Sequence, residues 1–329
     1  MPPPGNYAAA TAVVDGINVV RLSDAARATE VSIATPIGNM AYEFKVRGKN
    51  VLWFPFASPW ELKVKPRFCG IPFLAPWANR IDGDSYWVNG SRYLLNPGLG
   101  NLGRDDHHRP IHGLLSFFPD WILVSLRADH CASATFRLEC ARHPALMAQF
   151  PFAHTITMTH RLADGALEIE TTIENQCAEP IPVAIGYHPY FRLPDVPRDR
   201  WRVHLAARDQ VVLDDLLIPT GERRAVEFAD PHPLAAAPLD DVFTNLVRDP
   251  DERARFWVEG DRQRITVDYG PKYTVAVVYS PAGHDFICFE PMAAITDAFN
   301  LAHTGVYREM QSIPPGQVWK ESFWISVAG

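Results

Sequence analysis

An alternation of period two constrains this chain more than any other feature of its sequence. In Leu167-Glu168-Ile169-Glu170-Thr171-Thr172-Ile173-Glu174 the apolar side chains fall on alternate positions, with glutamates between them. This is the pattern of a strand with one face buried and the other wet. His154-Thr155-Ile156-Thr157-Met158-Thr159-His160-Arg161-Leu162 alternates in the same way, and Ala163-Asp164-Gly165 supplies a turn, so the two runs read as a hairpin. Further strands are predicted at Val31–Thr35, Met40–Val46, Ala134–Glu139, Arg202–Leu205, Ile265–Asp268, Tyr273–Tyr279, Phe286–Glu290 and Trp319–Val327. The run Val275-Ala276-Val277-Val278 is apolar on both faces, which places it centrally between two layers. The 29 prolines and 20 glycines recur at short intervals, which suits many strands and loops and breaks long helices. Pro231–Pro238 and Arg192–Arg200 read as loops, and 249–255 as one short helical turn. No internal repeat or linker interrupts the chain. The expectation is an all-β protein, one large antiparallel β-sandwich domain over residues 1–329.

Composition narrows the function classes. Hydrophobic residues make up 47% of the chain and charged residues 21%, enough apolar material for a buried core and no signature of disorder. The formal net charge of −7 argues against a nucleic-acid or anionic-membrane partner, which needs a basic face. The start, Met1-Pro2-Pro3-Pro4-Gly5, lacks the cationic and apolar stretches of a signal peptide, and no run approaches 18 apolar residues. Cys69, Cys131, Cys140, Cys177 and Cys288 form no C-x-x-C pair, and their odd number fits reduced thiols in the cytoplasm.

Three ionisable side chains stand out by their settings. His112 lies in Ile111-His112-Gly113, His188 in Gly186-Tyr187-His188-Pro189-Tyr190-Phe191, and Glu290 ends the apolar run Cys288-Phe289-Glu290-Pro291. A carboxylate and an imidazole together remove one proton while delivering another, which is general acid–base chemistry without a cofactor. Each residue also has a structural reading: Glu290 as a strand-end residue facing solvent, His188 as a core histidine bonded to a carbonyl, and His112 as part of a turn. Asp105-Asp106-His107-His108 contains metal-ligand residue types, but adjacent loop residues rarely converge on one ion, so it reads as a solvated loop lip with no metal. No G-x-x-x-x-G-K-[ST] motif occurs, so a nucleotide phosphate loop has no support.

From about residue 15 onward the chain resembles the aldose 1-epimerase (galactose mutarotase) family. Four blocks in the family's order carry the resemblance. The first is Ala78-Asn79-Arg80-Ile81, followed by Tyr86-x-Val88-Asn89-Gly90, Tyr93-x-Leu95-Asn96 and Ile111-His112-Gly113. The second is His188-Pro189-Tyr190-Phe191-Arg192-Leu193, and the third Leu239-Asp240-Asp241-Val242-Phe243. The last is Glu290 with Asp297-Ala298-Phe299-Asn300 behind it. The resemblance implies a galactose mutarotase-like antiparallel β-supersandwich that binds a free sugar in an open cleft and interconverts its α and β anomers. It implies no cofactor, a small-molecule sugar as the partner, and a monomer or homodimer.

Mutarotation needs the C1 hydroxyl deprotonated while the ring oxygen is protonated, which suits Glu290 as base and His188 as acid. Arg80, His112 and Asp240 are suited to holding the sugar in register, and the resemblance adds Asn79 beside Arg80. Tyr190, Phe191 or Trp77 can supply an aromatic wall against the sugar's C–H face. Arg80 is also readable as an ion-pair partner, and Asp240 as a turn residue beside Asp241. The sequence departs from many galactose mutarotases at Pro291-Met292-Ala293-Ala294, where they carry a polar Thr-Gln. This leaves the catalytic pair intact and the identity of the sugar open. Glucose or galactose, a hexose 6-phosphate, a sugar sensor without catalysis, and a glycoside hydrolase or lyase with two carboxylates are the alternatives.

Overall fold

The alternating run at 167–174 becomes the strand Ala166–Asn175, paired antiparallel with His154–Ala163 across a two-residue turn in which Asp164 and Gly165 both have positive φ. A computed structural model of the protein describes residues 6–235 and 238–329. Among these residues the strands form three main antiparallel sheets. Five strands at the N-terminal end, from Tyr7–Val14 to Lys49–Asn50, follow one another in chain order. A nine-stranded sheet has the 154–175 hairpin, Arg264–Tyr269 and Val318–Ala328 among its inner strands. An eight-stranded sheet is built around Leu239–Leu246, Val275–Ser280 and Ile287–Met292. Among the described residues the α-helices are three single pieces of six residues each, Pro59–Val64, Pro144–Gln149 and Ala298–His303.

The eight- and nine-stranded sheets pack face to face through aromatic side chains. Phe289 meets Phe256 at 6.2 Å between ring centroids, and Tyr187 meets Phe323 at 4.8 Å. All four are fully buried, and a buried phenylalanine contributes roughly 1.5–3 kcal/mol. Val275–Ser280 lies between Leu239–Leu246 and Ile287–Met292 and is buried on both faces through Val278, as its unbroken apolar run predicts.

Several sequence expectations change. Residues 249–255 form no helix: the Glu252 N–H bonds back to the Asp249 carbonyl in a tight turn, and a strand starts at Ala254. His232–Pro233, inside the expected loop, makes a two-residue strand against Arg202–Val203, while 236 and 237 lie outside the described residues. Arg198–Arg200 is one 3-10 turn within its loop. Glu290 does not end its strand, which runs on through Pro291 and Met292 to pair with Gly186 and Val275.

His160 takes an inward position in its strand, on the same side as the buried Ile156, Met158 and Leu162. Its ring stands edge-on to Phe136 at 5.8 Å, and its Nδ1 has no partner. Burial pushes this imidazole from 6.5 down to about 3. The unfolded chain therefore binds a proton that the folded state refuses. Stability is lost as pH falls below 6.5, by at most about 1.4 kcal/mol per pH unit until the folded value is reached. His160→Leu is expected to flatten the pH dependence of urea unfolding between pH 6.5 and 4.5; an unchanged slope would contradict this reading.

Candidate active site

Strand alternation brings the acidic residues to one face. In Ile287–Met292 the side chains of Ile287 and Phe289 enter the main core between the sheets, while Cys288, Glu290 and Met292 point the other way. Across the sheet Glu290 is opposite Val277, and Asp240 is opposite Tyr279, which is itself opposite Cys288. Residues directly opposed in an antiparallel sheet share a face. Asp240 thus lies on the Glu290 face, whereas Asp241 lies on the other and hydrogen-bonds Gln210.

His188 reaches the same face by an interrupted strand. Gly186 pairs with Met292 and Tyr190 with Cys288, so the same register sets His188 opposite Glu290. Pro189 cannot donate to a ladder, and the His188 N–H turns instead to the Pro72 carbonyl at 3.0 Å. The result is a contact of 3.3 Å between His188 Nε2 and Glu290 Oε1. Glu290 is 1% exposed and His188 6%. The remaining atoms of the pair, Glu290 Oε2 and His188 Nδ1, are buried without partners. Gly186 allows the close approach: a Cβ there would lie 2.9 Å from the Met292 side chain and 3.1 Å from the Pro291 carbonyl oxygen.

Burial favours the uncharged form of both members. It raises the Glu290 carboxyl well above its ordinary 4.5, with Asp240 adding to the rise and Arg80 opposing it. It lowers the His188 imidazole from 6.5 to about 3. His112, whose ring stands 5.4 Å from that of His188 and nearly perpendicular to it, is also held neutral, first by burial and then by His188 and Arg80.

Arg80 and His112 arrive on neighbouring loop segments joined by backbone bonds. The His112 N–H donates to the Asn79 carbonyl at 2.9 Å, and Arg80 bridges Ile111. Asn79 and His112 both sit in the left-handed region, at φ +55° and +61°. Asn79 is buried and its amide nitrogen faces the Met292 sulfur at 3.6 Å, so it meets the site through its carbonyl and its neighbours. Arg80 Nε bonds Asp105 Oδ2 at 2.7 Å. Burial raises the Asp105 carboxyl, but the Arg109 N–H and the Arg80 guanidinium more than offset this and hold it below its ordinary value. Asp240 is raised, chiefly by burial; its side chain is still open to solvent, as on the wall of an open cleft.

The aromatic surroundings differ from expectation. Trp77 and Phe191 are core residues, 1% and 0% exposed, and neither forms a wall for a ligand. Tyr190 stacks flat on His188, with centroids 4.5 Å apart and planes 5° from parallel, and so fixes the plane of that imidazole. Phe68 packs against both His112 (5.0 Å) and His188 (5.9 Å), and Tyr279 stands edge-on to His188. Phe68 has no local signal in the sequence. Asp105, expected in a solvated lip, is the partner of Arg80, while Asp106, His107 and His108 stay exposed. No group of three metal-ligating side chains occurs among the described residues.

Asp297 holds this loop from behind. Its N–H donates to the Arg80 carbonyl at 2.9 Å, and its Oδ1 accepts from the Asp82 N–H at 3.0 Å and from Asn300 Nδ2 at 2.7 Å. The spacing Asp297-Ala298-Phe299-Asn300 is thus a clamp on the backbone either side of Ile81.

Comparison with known proteins places the fold and the family. The family model described as aldose 1-epimerase matches residues 20–326. The uncharacterized protein YphB of Escherichia coli K12 is 24% identical over 258 residues, covering 74% of this chain and 79% of that protein. Among solved structures, a galactose mutarotase-like protein from Clostridium acetobutylicum superposes with a TM-score of 0.86 at 18% identity, covering 98% of this chain and 99% of that one. The galactose 1-epimerase of Lactobacillus acidophilus NCFM superposes at 0.70 with 13% identity, covering 98% of each chain. The described helices include none long and apolar enough to cross a membrane. With an antiparallel β-sandwich and a family match across nearly its whole length, the chain belongs to the aldose 1-epimerase family.

Proposed function

We propose that this protein is a mutarotase that interconverts the α and β anomers of a free aldohexose such as glucose or galactose, with Glu290 and His188 as its catalytic pair. The observation that carries the reading is the buried contact between these two side chains, each with a second polar atom left unpartnered. Such a pair, holding one proton in total, has two forms: carboxylate with imidazolium, or carboxylic acid with neutral imidazole. In the first form Glu290 takes the proton of the C1 hydroxyl while His188 protonates the ring oxygen. The C1–O5 bond breaks and the C1 carbonyl forms, leaving the pair in its second form. Rotation about C1–C2 presents the other carbonyl face. As O5 attacks C1 again, its proton goes to His188 and the Glu290 proton goes to the carbonyl oxygen. The cycle returns both residues to their starting state and moves only protons, so no cofactor or metal enters it. Each positioned acid or base contributes roughly 10²–10⁴-fold.

Arg80, His112 and Asp240 hold the sugar hydroxyls, and Tyr190 and Asn79 hold His188 and His112 in turn. A free sugar is favoured over a 6-phosphate because three arginines of the loops around the site already have carboxylate partners: Arg80 with Asp105, Arg104 with Asp84, and Arg109 with Asp82. NMR exchange spectroscopy across free and phosphorylated aldohexoses tests the assignment. Accelerated exchange of a free hexose is expected, and sugar binding with exchange at the solvent rate would favour a sensor instead.

The pH dependence follows from the shared proton. The active form gains a second proton only near the depressed His188 value, below 6.5, and loses its one proton only near the raised Glu290 value, above 4.5. Between the two values kcat is expected to be flat, with its acid limb well below pH 6.5. A midpoint at 6.5 would mean that an unperturbed histidine controls the rate.

Asp297 is a positioning residue in this account. Asp297→Ala is expected to raise KM about tenfold, as a displaced Arg80 does, with a smaller effect on kcat. Asp297→Asn keeps the hydrogen-bond acceptor and tolerates the left-handed backbone, so it should restore KM. Equal KM values in all three proteins would remove Asp297 from the site.

A further inference from the structure

The face that carries Glu290 holds more negative charge than the protein itself neutralises. Asp240 reaches this face through the strand register, directly opposite Tyr279. Among the described residues its side chain makes no ion pair and no hydrogen bond, and Arg80 is the one cation that acts on it. That guanidinium is already held by Asp105 at 2.7 Å. Asp106, exposed beside Asp105, is likewise without a partner. Burial raises the Tyr279 hydroxyl above its ordinary 10, and Asp240, Glu290 and Asp106 add to the rise. Arg67 also lacks a carboxylate partner, but its guanidinium lies over the Trp53 ring at 5.0 Å. Acids in a group are by themselves ordinary surface. These adjoin Glu290, which is 1% exposed and whose Oε2 has no partner, and a buried polar atom left open in this way points to a ligand.

We propose that the preferred substrate is an aldohexosamine, a free hexose carrying a protonated amine, and that Asp240 binds its ammonium group. The inference rests on the mutarotase reading and deepens it by naming the class of sugar. Asp240 and Glu290 are two strands and one two-residue step apart, which sets their backbones about 12 Å from each other on one face. With C1 at Glu290, Asp240 therefore meets a substituent across the ring. An ammonium donates up to three hydrogen bonds, and bonds between charged partners are roughly twice as strong as neutral ones, so an open carboxylate favours it over a hydroxyl. The half-buried Tyr279 ring beside Asp240 suits a cation as well. The catalytic pair does not oppose it, because with one proton the pair is neutral overall in both of its forms.

The test measures kcat/KM for anomer exchange by NMR, with the amines protonated, in wild type, Asp240→Asn and Asp106→Asn. Glucosamine, galactosamine and 3-amino-3-deoxyglucose are compared with glucose and with the neutral N-acetylglucosamine. At least one amino sugar is expected to exceed glucose about tenfold in wild type, chiefly through KM, while N-acetylglucosamine does not. Asp240→Asn keeps the shape of the side chain and should bring that ratio to about one, whatever it does to glucose itself. Asp106→Asn should lower the ratio about two- to threefold, as loss of an exposed charge does, and leave glucose within about twofold of wild type. Raising salt from about 0.01 M to about 1 M shortens the screening length from about 30 Å to about 3 Å. This should shrink the ratio in wild type and not in Asp240→Asn. Amino sugars no better than glucose, or an advantage shared by N-acetylglucosamine or kept by Asp240→Asn, would overturn the inference. If glucose or galactose is exchanged without any preference for an amine, the inference fails and the mutarotase reading stands. If no sugar is exchanged at all, the mutarotase reading fails and the inference falls with it.

Discussion

Glu290→Gln is expected to fold normally and to lower kcat for anomer exchange by about two to four orders of magnitude, with a smaller change in KM. The amide has the shape of the carboxyl and can still hydrogen-bond, but it cannot take and return a proton. His188→Asn keeps a polar side chain and should lower kcat by a similar factor. In the proposed cycle the two residues, in contact at 3.3 Å, share one proton, so their losses should not add: the double variant should be no slower than the worse single one. The folded protein should not suffer. Glu290 Oε2 is buried without a partner, and its raised pKa means that ionising it costs folding free energy once the pH exceeds 4.5. Removing the carboxyl relieves that cost, so Glu290→Gln should be at least as stable as wild type at neutral pH. Additive losses in kcat would show that the two groups act on separate steps.

Gly113→Ala should be among the most damaging single substitutions. Gly113 has φ +66°, and a Cβ there would lie 2.2 Å from the Ala75 carbonyl oxygen and 3.0 Å from the Pro76 nitrogen. These are backbone atoms of the segment that Gly113 bridges, so no side-chain movement can relieve the overlap. The left-handed conformation alone costs roughly 1–2 kcal/mol in a residue with a Cβ, and separating the two segments raises the total to more than about 4 kcal/mol. His112 is the adjacent residue, so whatever folded protein forms should also lose activity. Gly90→Ala is the matched control. It has φ +76° and open space around it, so only the conformational cost should appear. Urea unfolding of the two variants measures the difference, and similar losses would show that the Ala75–Gly113 approach is not tight.

The site was legible where chemistry and local pattern coincide. Glu290 and His188 stood out by residue type and setting, and strand alternation brings them together as acid–base chemistry requires. The hairpin 154–175 was readable because one face is buried and the other wet. Tyr7–Val14 was missed because its Ala-rich sequence has no alternation to detect. The supports of Arg80 were hidden for a different reason. Asp105 lies 25 positions away from it and the Asp82 contact of Asp297 spans 215, and no local period reports contacts of that kind. Trp77 and Phe191 were misplaced because aromatic side chains serve cores and sugar walls equally well, and only burial separates the two. The choice between Asp240 and Asp241 needed the register opposite Tyr279 and Val278.

Anomer exchange through the buried carboxyl–imidazole pair is the activity we propose for this chain. Polarimetric relaxation of freshly dissolved α-glucose and α-galactose, with wild type and folded Glu290→Gln side by side at neutral pH, tests it most directly. Wild type is expected to accelerate relaxation of at least one sugar in proportion to enzyme concentration, and Glu290→Gln to lose at least about 99% of that acceleration. Equal acceleration by both proteins, or none by wild type with either sugar, would contradict it.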